Sequence, residues 1–468
     1  RQLFKDPTAT VITSDRNELL GAMIASDGQW RFPHNDSIPE KFKTCIIQFE
    51  DEYFYKHPGF NPVSIFKAIQ ENIKSNDVKR GGSTLTQQVI RLSRKNKSRT
   101  YFEKIKEIIL ATRLEFRASK EKILSYYSSN APFGGNVVGL DAASWRYFNR
   151  DANDLSWAES ATLAVLPNAP SLIYPGKNQE TLLNKRNRLL QKLLQNNIID
   201  SLTYDLSIAE ELPQKPYALP QIAPHLLQKV ALNNTGEHIK TSLKKSLQEQ
   251  TNRIVSNHYN HLKQNEIHNI AVLVLDVNTR KVLAYVGNSP TDSEHQKDVD
   301  VIDKPRSTGS ILKPFLYAAM LDTGDILPNT LVADVPTQFG SYNPENYDQG
   351  YDGAVPASRA LSRSLNVPAV RMLQEFGLDR FHHYLEALKL KDLKYNANHY
   401  GLSLILGGAE SNLWDLCKSY AALSSTLNHF NESSSEYFEN EIIEPTYLAD
   451  ASVGFGRKSS EKSLFDAG

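Results

Sequence analysis

The sequence predicts a multidomain α+β protein in which a mostly α-helical domain is followed by a second, α/β domain. Its 468 residues exceed the length of one compact domain, so two or three domains are expected. Between residues 40 and 205, apolar side chains recur at the spacing typical of amphipathic helices. From residue 269 the pattern changes to two apolar runs, 270–277 and 281–287, joined by the turn Asn278-Thr279, which predicts a β-hairpin.

Turn and proline signals divide the chain into four regions. Short strand patterns separated by turns at residues 15–17 and 27–28 indicate a β-rich lead-in. Pro216, Pro220 and Pro224 mark a connection, and a polar helix pair rich in His and Asn follows it. We therefore predict a lead-in at 1–39, a helical domain at 40–210, a linker region at 211–268 and a second domain at 269–468.

Composition and charge exclude several classes of protein. Lys+Arg and Asp+Glu number 53 each, so no overall positive charge favours nucleic acid, and no nucleic-acid partner is expected. The two cysteines, Cys45 and Cys417, lack metal-binding or redox spacing and are interpreted as small apolar core residues, with one long-range disulfide left open. The sequence contains no run of about 18 apolar residues, and no signal-peptide pattern follows Arg1.

The stretch from Phe49 to Gly59 combines adjacent carboxylates, aromatic side chains and a His-Pro-Gly turn. The apolar spacing of residues 42–49 predicts a helix that ends near Glu50 in aromatic surroundings. A carboxylate in such a place can have its pKa raised by desolvation and can accept a proton near neutral pH. The alternative is a solvated Glu50-Asp51 pair at the end of an amphipathic helix, and the residues alone leave both open.

A loop rich in Gly, Ser and Thr precedes the next predicted helix. Residues 80–84 would expose backbone N–H groups at the helix start and favour an anion such as a phosphate. The alternative is an ordinary loop with Ser83 or Thr84 as the N-cap. Further on, Lys104 and Glu107 lie three residues apart on one helical face, as in a common surface ion pair. The basic residues between these stretches suit a solvated face or a polyanionic head group; they are Arg91, Arg94, Lys95, Lys97 and Arg99.

In order and spacing, these stretches resemble the motifs of the family 51 peptidoglycan glycosyltransferases. Residues 50–59 are similar to Glu-Asp-x-x-Phe-x-x-His-x-Gly, and residues 81–88 to Gly-x-Ser-Thr-x-Thr-Gln-Gln. Residues 103–107 are similar to Arg-Lys-x-x-Glu, and residues 120–129 to Lys-x-x-Ile-Leu-x-x-Tyr-Leu-Asn. The resemblance covers about residues 40–200. It implies a lysozyme-like helical fold that polymerises lipid II into glycan strands and releases undecaprenyl diphosphate.

The resemblance also implies roles for individual side chains. Glu50 would be the general base for the acceptor sugar hydroxyl, which attacks the anomeric carbon of the growing chain with inversion. Glu107 would assist departure of the lipid diphosphate or hold a divalent cation, Mg²⁺ or Mn²⁺, on it; no organic cofactor is implied. Glu103 and Ser129 stand where the family usually has Arg and Asn, and Glu103 thereby removes a positive charge beside the diphosphate. Ser83, Gln87, Arg91 and Lys104 would cradle the diphosphate, and Asp51, Phe54, Thr84 and Gln88 would also bind substrate.

The predicted second domain carries Ser310-Ile311-Leu312-Lys313, in which one helical turn separates a hydroxyl from a lysine. A lysine there can take the hydroxyl proton if its pKa falls. With Ser364-Leu365-Asn366, this motif resembles the first two motifs of the penicillin-binding transpeptidases, whose α/β fold is β-lactamase-like. Two unrelated helix starts are the alternative. By resemblance, Ser310 would be the nucleophile acylated by the penultimate D-Ala of a stem peptide, and Lys313 its base, with Ser364 and Asn366 assisting.

A third motif of the type Lys-Thr-Gly or Lys-Ser-Gly does not occur after Asn366. The nearest candidate, Lys458-Ser459-Ser460, lacks the glycine that lets substrate approach the strand closely. Either the chain ends before that strand or the domain is degenerate. We favour the first, so the α/β domain is predicted to be partial. With both domains in one chain, the sequence resembles the class A penicillin-binding proteins.

The resemblance predicts peptidoglycan synthesis at the outer, periplasmic side of the bacterial cytoplasmic membrane, with an anchor outside this chain. Expected partners are lipid II, the growing glycan strand, stem peptides, β-lactams, the membrane surface and other cell-wall synthesis proteins. Three alternatives remain: a serine D,D-transpeptidase or carboxypeptidase with a glycan-binding helical half, a non-catalytic cell-wall scaffold, and a lysozyme-like hydrolase. An amphipathic segment near 60–75 could enter the membrane interface or pack on the core.

Overall fold

The computed structural model describes residues 3–62, 82–95 and 100–467. By its contacts the chain divides into two compact units, Arg1–Ile239 and Lys240–Gly468. Most of the predicted amphipathic segment near 60–75 lies outside the described residues, as do Arg80, Gly81, Lys97 and Arg99.

Unit 1 is mostly helical, as the sequence predicts. Its described strands are short: β1 (Thr10–Thr13), β2 (Leu19–Met23), β3 (Trp30–Arg31), β4 (Pro132–Gly134), β5 (Val137–Val138) and β6 (His238–Lys240). They form two three-stranded sheets, in the orders β2-β1-β6 and β3-β5-β4. Its described helices are α1 (Glu40–Glu50), α2 (Leu85–Ser93), α3 (Tyr101–Glu115), α4 (Lys120–Asn130), α5 (Leu140–Phe148), α6 (Trp157–Val165), α7 (Gln179–Gln195), α8 (Ser201–Ala209) and α9 (Pro224–Asn233).

Helix α1 places the acidic stretch at the edge of the core of unit 1. One face of α1 packs on α6 and α7. It carries the fully buried side chains of Phe42, Cys45 and Ile46, which follow the i, i+3, i+4 spacing of a helix face. Cys45 is a free, buried cysteine, in agreement with its interpretation as an apolar core residue. The helix ends after Glu50 because Asp51 adopts an extended φ of −159°, although its N–H still donates to Ile47 O.

The proline-rich stretch after residue 210 is packed structure in unit 1. Leu219 shares a buried cluster with Val11 and Leu19 of the lead-in strands, and α9 contacts both β1 and β2. The boundary between the units, Ile239/Lys240, therefore lies inside the region 211–268 that the sequence predicts as a linker. Residues 211–239 belong to unit 1 and residues 240–268 to unit 2, because each part buries apolar or hydrogen-bonding groups in its own unit.

Unit 2 mixes helices with two-stranded sheets. Its strands are β7 (Val272–Leu275), β8 (Val282–Val286), β9 (Arg306–Ser307), β10 (Leu331–Asp334), β11 (Gly353–Pro356), β12 (Glu410–Ser411), β13 (Tyr437–Phe438) and β14 (Lys458–Ser459), paired β7-β8, β9-β12, β10-β11 and β13-β14. Its helices are α10 (Lys245–Leu262), α11 (Lys313–Asp322), α12 (Ala357–Ser362), α13 (Asn366–Phe376), α14 (Leu378–Ala387), α15 (Ala397–Tyr400) and α16 (Leu413–Glu432).

The predicted hairpin of unit 2 is confirmed, since β7 and β8 pair antiparallel from Val272↔Val286 onward. Helix α10 lies against β8, where the Gln248 side chain accepts from Tyr285 N at 2.7 Å and donates to Tyr285 O at 2.9 Å. A second apolar cluster gathers α11, α13 and α14 around Phe315 and Phe381. This cluster holds the start of α11, and with it Lys313, beside the start of α13.

Candidate active site

A pocket of about 740 Å³ lies at the end of α1. Its other walls come from the loop before α2, from α3, and from the short 3-10 turn Leu166–Asn168. Most of the residues that the sequence predicts for the first site line this pocket: Glu50, Asp51, Ser83, Thr84, Gln88, Arg91, Lys104 and Glu107.

Asp51 cross-links the acidic stretch to the start of α2. Its Oδ2 accepts the backbone N–H of Leu85 at 3.0 Å, and its carboxylate lies 2.9 Å from His57 Nε2. The Gly59 N–H donates to His57 Nδ1, which leaves Nε2 as the protonated nitrogen that donates to Asp51. Because both its oxygens have protein partners, Asp51 acts here by positioning; binding of substrate by Asp51 stays a prediction.

Thr84 is the N-cap of α2, as one of the two sequence alternatives predicts. Its Oγ1 accepts from Gln87 N at 3.2 Å in a capping box and donates to Gly59 O at 2.7 Å. Position 59 requires glycine for two reasons. Its φ is +96°, and a Cβ there would lie 2.8 Å from the carbonyl carbon of Ala111. The cap therefore joins the His-Pro-Gly turn to the helix that carries Gln88 and Arg91.

Replacing Thr84 by alanine is expected to lower the free energy of unfolding of unit 1 by about 1–2 kcal/mol, because both hydrogen bonds of Oγ1 are lost at a helix start. Urea unfolding measures the change. Thr112→Ala is the matched control, since among the described residues the Thr112 hydroxyl bonds only to the carbonyl of Ile108 in its own helix. Equal stability of the Thr84→Ala variant and the parent would contradict the prediction.

Glu50 lies in a desolvated position on one wall of the pocket. Its Oε2 accepts from Gln88 Nε2 at 2.7 Å, while Oε1 is buried and makes no hydrogen bond of standard geometry with the described residues. Burial raises the pKa of Glu50, and the Gln88 and Asn168 amides and the Lys185 charge reduce that rise. This is the environment that the sequence predicts for a carboxylate that takes a proton near neutral pH.

A cluster of cations faces the pocket from α2 and α3. Arg91 binds Glu107 with two hydrogen bonds, from Nε at 3.0 Å and from Nη2 at 3.2 Å. Lys104 Nζ lies 3.4 Å from the same carboxylate and donates to Ser83 Oγ at 2.6 Å. Burial works against ionisation of Glu107, but the hydrogen bonds and charges of Arg91 and Lys104 lower its pKa overall. Arg91, Lys104, Ser83 and Glu107 are called the basic wall below.

Two predicted substrate-binding residues lie behind the pocket surface. Phe54 is fully buried in the core of unit 1, with Lys120 Nζ 4.5 Å from its ring centre, so its ring packs in the core and its contact with substrate stays a prediction. Gln87 is also fully buried, and its Oε1 accepts from Lys104 Nζ at 3.0 Å. Gln87 therefore orients a cation of the basic wall from behind.

Glu103 changes the charge of the pocket in two ways. It lines the pocket at the position where the resembling family usually has Arg, and it forms a 2.6 Å ion pair with Arg94. The carboxylate thus stands where a cation is usual and also pairs with Arg94, and Arg91 and Lys104 are the cations that line this wall among the described residues. Ser129, the other departure, lies at the end of α4, where its hydroxyl bonds to Asn35.

Three residues of this site were not predicted as site residues from the sequence. His57 belongs to the acidic motif, but its bond to Asp51 is visible only in three dimensions. Asn168 follows a Leu-Pro pair that indicates a turn, and Lys185 is one of several cations on α7. Both come to Glu50 through the packing of α1 on α6 and α7, with Lys185 Nζ 2.9 Å from Asn168 Oδ1.

In unit 2, Lys313 brings the two predicted motifs together. It is buried, and its Nζ donates to Ser364 O at 2.7 Å, to Asn366 Oδ1 at 2.8 Å and to Ser364 Oγ at 3.3 Å. Burial lowers the pKa of Lys313 to about 8. Ser310 is half-buried one turn before Lys313, and the described residues show no hydrogen bond between its hydroxyl and Lys313.

The lowered pKa of Lys313 makes the stability of unit 2 depend on pH. Between about pH 8 and about 10.5 the unfolded chain holds this proton and the folded chain does not, so the free energy of unfolding rises with pH. The contribution is at most about 3 kcal/mol. Urea midpoints of the parent and of Lys313→Met, measured across this range, should show the rise in the parent alone. Parallel curves for both proteins would contradict the prediction.

The candidate for a third motif lies on a short ribbon. Lys458 and Ser459 form β14, which pairs with β13 through Phe438 and Tyr437. Lys458 is exposed, and its Nζ lies 3.6 Å from Glu436.

Comparison with known proteins assigns both units. Residues 17–194 match the family model described as transglycosylase, and residues 270–422 match the penicillin binding protein transpeptidase domain. The chain belongs to the class A penicillin-binding proteins, with a helical glycosyltransferase domain followed by a transpeptidase domain.

Among known relatives, the chain is similar to penicillin-binding protein 1C of Escherichia coli, with 35% identity over 421 residues, 90% of this chain and 54% of the relative. Residues 27–33 and 131–136 also resemble this branch. Penicillin-binding protein 1F of Bacillus subtilis is 29% identical over 81% of this chain and 54% of its own length. The crystal structure of penicillin-binding protein 1A from Haemophilus influenzae matches at 17% identity and a TM-score of 0.44, over 90% of this chain and 68% of that one.

The chain thus spans about half the length of these two curated relatives. Within the described part of the chain, no helix is long and apolar enough to cross a membrane.

Proposed function

We propose that unit 1 polymerises lipid II into glycan strands and releases undecaprenyl diphosphate. The observation that carries the proposal is the pocket itself, in which a half-buried carboxylate with a raised pKa shares one cavity with a basic wall. A transfer from a diphosphate leaving group needs a proton acceptor on one side and cations on the other. Membership of the class A family supports the same reaction.

The side chains divide the proposed reaction between them. Glu50 takes the proton of the acceptor sugar hydroxyl as its oxygen bonds to the anomeric carbon with inversion. The bond from that carbon to the diphosphate breaks, and its electron pair stays on the phosphate oxygen. Arg91 and Lys104 stabilise that charge. Because its lowered pKa keeps Glu107 ionised, the geometry supports Glu107 as the group that orients the two cations rather than as a proton donor.

A divalent cation on the diphosphate, which the family resemblance implies, has weaker support. Both oxygens of Glu107 are hydrogen-bonded to Arg91. The described residues contain no group of three or more His, Cys, Asp or Glu side chains that could hold a metal ion. The residues present do not fit a metal ion held by the protein, and the proposed reaction does not use one.

The proposal carries a location and partners with it. Lipid II and the growing strand would be the substrates of unit 1, which places the protein at the outer face of the bacterial cytoplasmic membrane. The membrane surface and other cell-wall synthesis proteins would be its neighbours there. These assignments rest on the proposed reaction and on the two family domains that this chain carries.

Labelled lipid II tests the proposal directly. Incubation with the purified chain is expected to give glycan polymer and free undecaprenyl diphosphate, separated by gel and by lipid chromatography. Release of short fragments from finished cell wall, with no polymer, would identify a hydrolase instead. Bound lipid II that stays unprocessed would favour the scaffold alternative.

A second candidate function belongs to unit 2, where Lys313 contacts both Ser364 and Asn366. We infer that Ser310 is acylated by β-lactams and by stem peptides. A fluorescent penicillin is expected to label the chain, and the label should disappear in Ser310→Ala. Absence of any penicillin label on the parent chain would contradict the inferred acylation of Ser310.

A further inference from the structure

Lys185 and Asn168 form a polar pair close to Glu50, and the reaction proposed above gives neither residue a role. Lys185 lies half-buried on α7, and its Nζ donates to Asn168 Oδ1 at 2.9 Å. Asn168 ends the 3-10 turn Leu166–Asn168 and lines the pocket together with Glu50. A side-chain amide has one acceptor oxygen and one donor nitrogen. Because the oxygen is held by Lys185, the nitrogen is the group left to face the pocket, where Glu50 Oε1 is buried and makes no hydrogen bond of standard geometry with the described residues.

We propose that Lys185 is a positioning residue for Glu50: it holds Asn168 so that the amide nitrogen is directed at the Glu50 carboxylate, and its ammonium group adds a positive charge on that side of the pocket. The proposal rests on the function proposed for unit 1, because it assigns the setting of the general base of that reaction. Lys185 needs no contact with substrate for this role. It acts through Asn168 and through the electric field of its ammonium group.

Electrostatics supports the arrangement from both partners. Burial raises the pKa of Glu50, and the Asn168 amide and the Lys185 charge lower it. Burial lowers the pKa of Lys185, and the Glu50 charge raises it. Each charge therefore favours the ionised form of the other, which is the expected behaviour of two opposite charges in a partly desolvated site.

The other groups around Glu50 do not supply this cation. Gln88 from α2 donates a neutral hydrogen bond. Asp51 adds a negative charge that raises the pKa of Glu50. Tyr127 from α4 is buried, and burial and the Glu50 charge raise the pKa of its phenol, so it stays neutral. The other cations that line the pocket have their own partners: Lys192 pairs with Glu52 at 3.0 Å, and Arg91 and Lys104 belong to the basic wall. Among the described residues, Lys185 is the cation whose charge lowers the pKa of Glu50.

The test is the pH profile of lipid II polymerisation. In Lys185→Met, we expect the acidic limb of the pH profile of kcat to move to higher pH. The reason is that Glu50 loses the positive charge that favours ionisation of its carboxyl group. Below that limb the variant should be about tenfold slower than the parent, and at high pH its rate should approach the parent rate. Lys185→Arg keeps the charge and should keep the limb near its parent position. Arg188→Gln removes an exposed charge from the same helix and serves as the matched control.

Asn168→Leu supplies an independent variant. It removes the donor to Glu50 while Lys185 stays, so its limb should also move to higher pH. The double variant Asn168→Leu/Lys185→Met should shift the limb by less than the sum of the single shifts, because the two residues act as one unit.

Two results would overturn the proposal. One is an acidic limb that stays in place in Lys185→Met, and the other is a loss of rate that is equal at every pH and is not rescued by Lys185→Arg. Failure of the proposed function has a different signature. Polymerisation by Glu50→Gln equal to that of the parent would remove Glu50 as the base, whatever the Lys185 variants do.

Discussion

Glu50→Gln is expected to abolish nearly all polymerisation of lipid II, with a loss of about 10²- to 10⁴-fold in kcat. Glutamine keeps the size of the side chain and can still accept the Gln88 hydrogen bond, but it cannot take a proton from the acceptor hydroxyl. Because a buried ionisable group is removed, the free energy of unfolding should stay equal or rise. Polymer yield from labelled lipid II and urea unfolding on the same samples separate the two effects.

The matched control for this variant is Glu40→Gln, the same substitution at the exposed start of α1, where the carboxylate pairs with Lys43. Its polymerisation rate should equal that of the parent. If Glu50→Gln made as much polymer as the parent, the assignment of Glu50 as general base would be wrong. If Glu40→Gln lost as much polymerisation activity as Glu50→Gln, the assay would report on α1 as a whole.

Arg91→Gln is expected to produce the second largest loss, about 10²- to 10³-fold in kcat/KM, because the basic wall loses its bidentate cation. The variant should also lose stability, by about 3–5 kcal/mol, since Glu107 is 8% exposed and would keep a buried charge without its main partner. The pKa of Glu107 should rise as a result. Lipid II polymerisation and urea unfolding give the two measurements.

The double variant Arg91→Gln/Glu107→Gln tells the two losses apart. Removal of both charges should restore much of the stability, because no unpaired carboxylate remains, but it should not restore polymerisation. Arg113→Gln, on the exposed face of α3, is the control and should match the parent in both assays. Recovery of activity in the double variant would contradict the role of Arg91 at the diphosphate.

Local features of the fold could be predicted well from the sequence. The apolar spacing before Glu50 predicted a helix that ends near this residue, and α1 does end at Glu50. This succeeded because the helical period is a local property of the chain. Thr84 was one of two predicted N-caps, and its capping box is present. The hairpin at Asn278-Thr279 followed from alternation and turn residues, and the family motifs placed the two domains in order.

The site was harder to predict where a role depends on which side chains meet. Phe54 was predicted at the substrate, yet the turn after α1 buries its ring in the core. Lys104 and Glu107 were recognised as a pair on one helix, but the stronger partner of Glu107 is Arg91, which comes from another helix. Lys313 was expected beside Ser310, whereas its hydrogen bonds go to Ser364 and Asn366.

The sequence by itself determined the family, the order of the two domains, and the presence of a carboxylate at a helix end near a run of cations. Tertiary structure decided which groups act on Glu50 and Glu107. The reason is physical: a pKa depends on burial and on charges within a few ångströms. In this protein the groups around each carboxylate come from residues far apart in sequence, as when the packing of α1 on α6 and α7 brings Asn168 and Lys185 to Glu50.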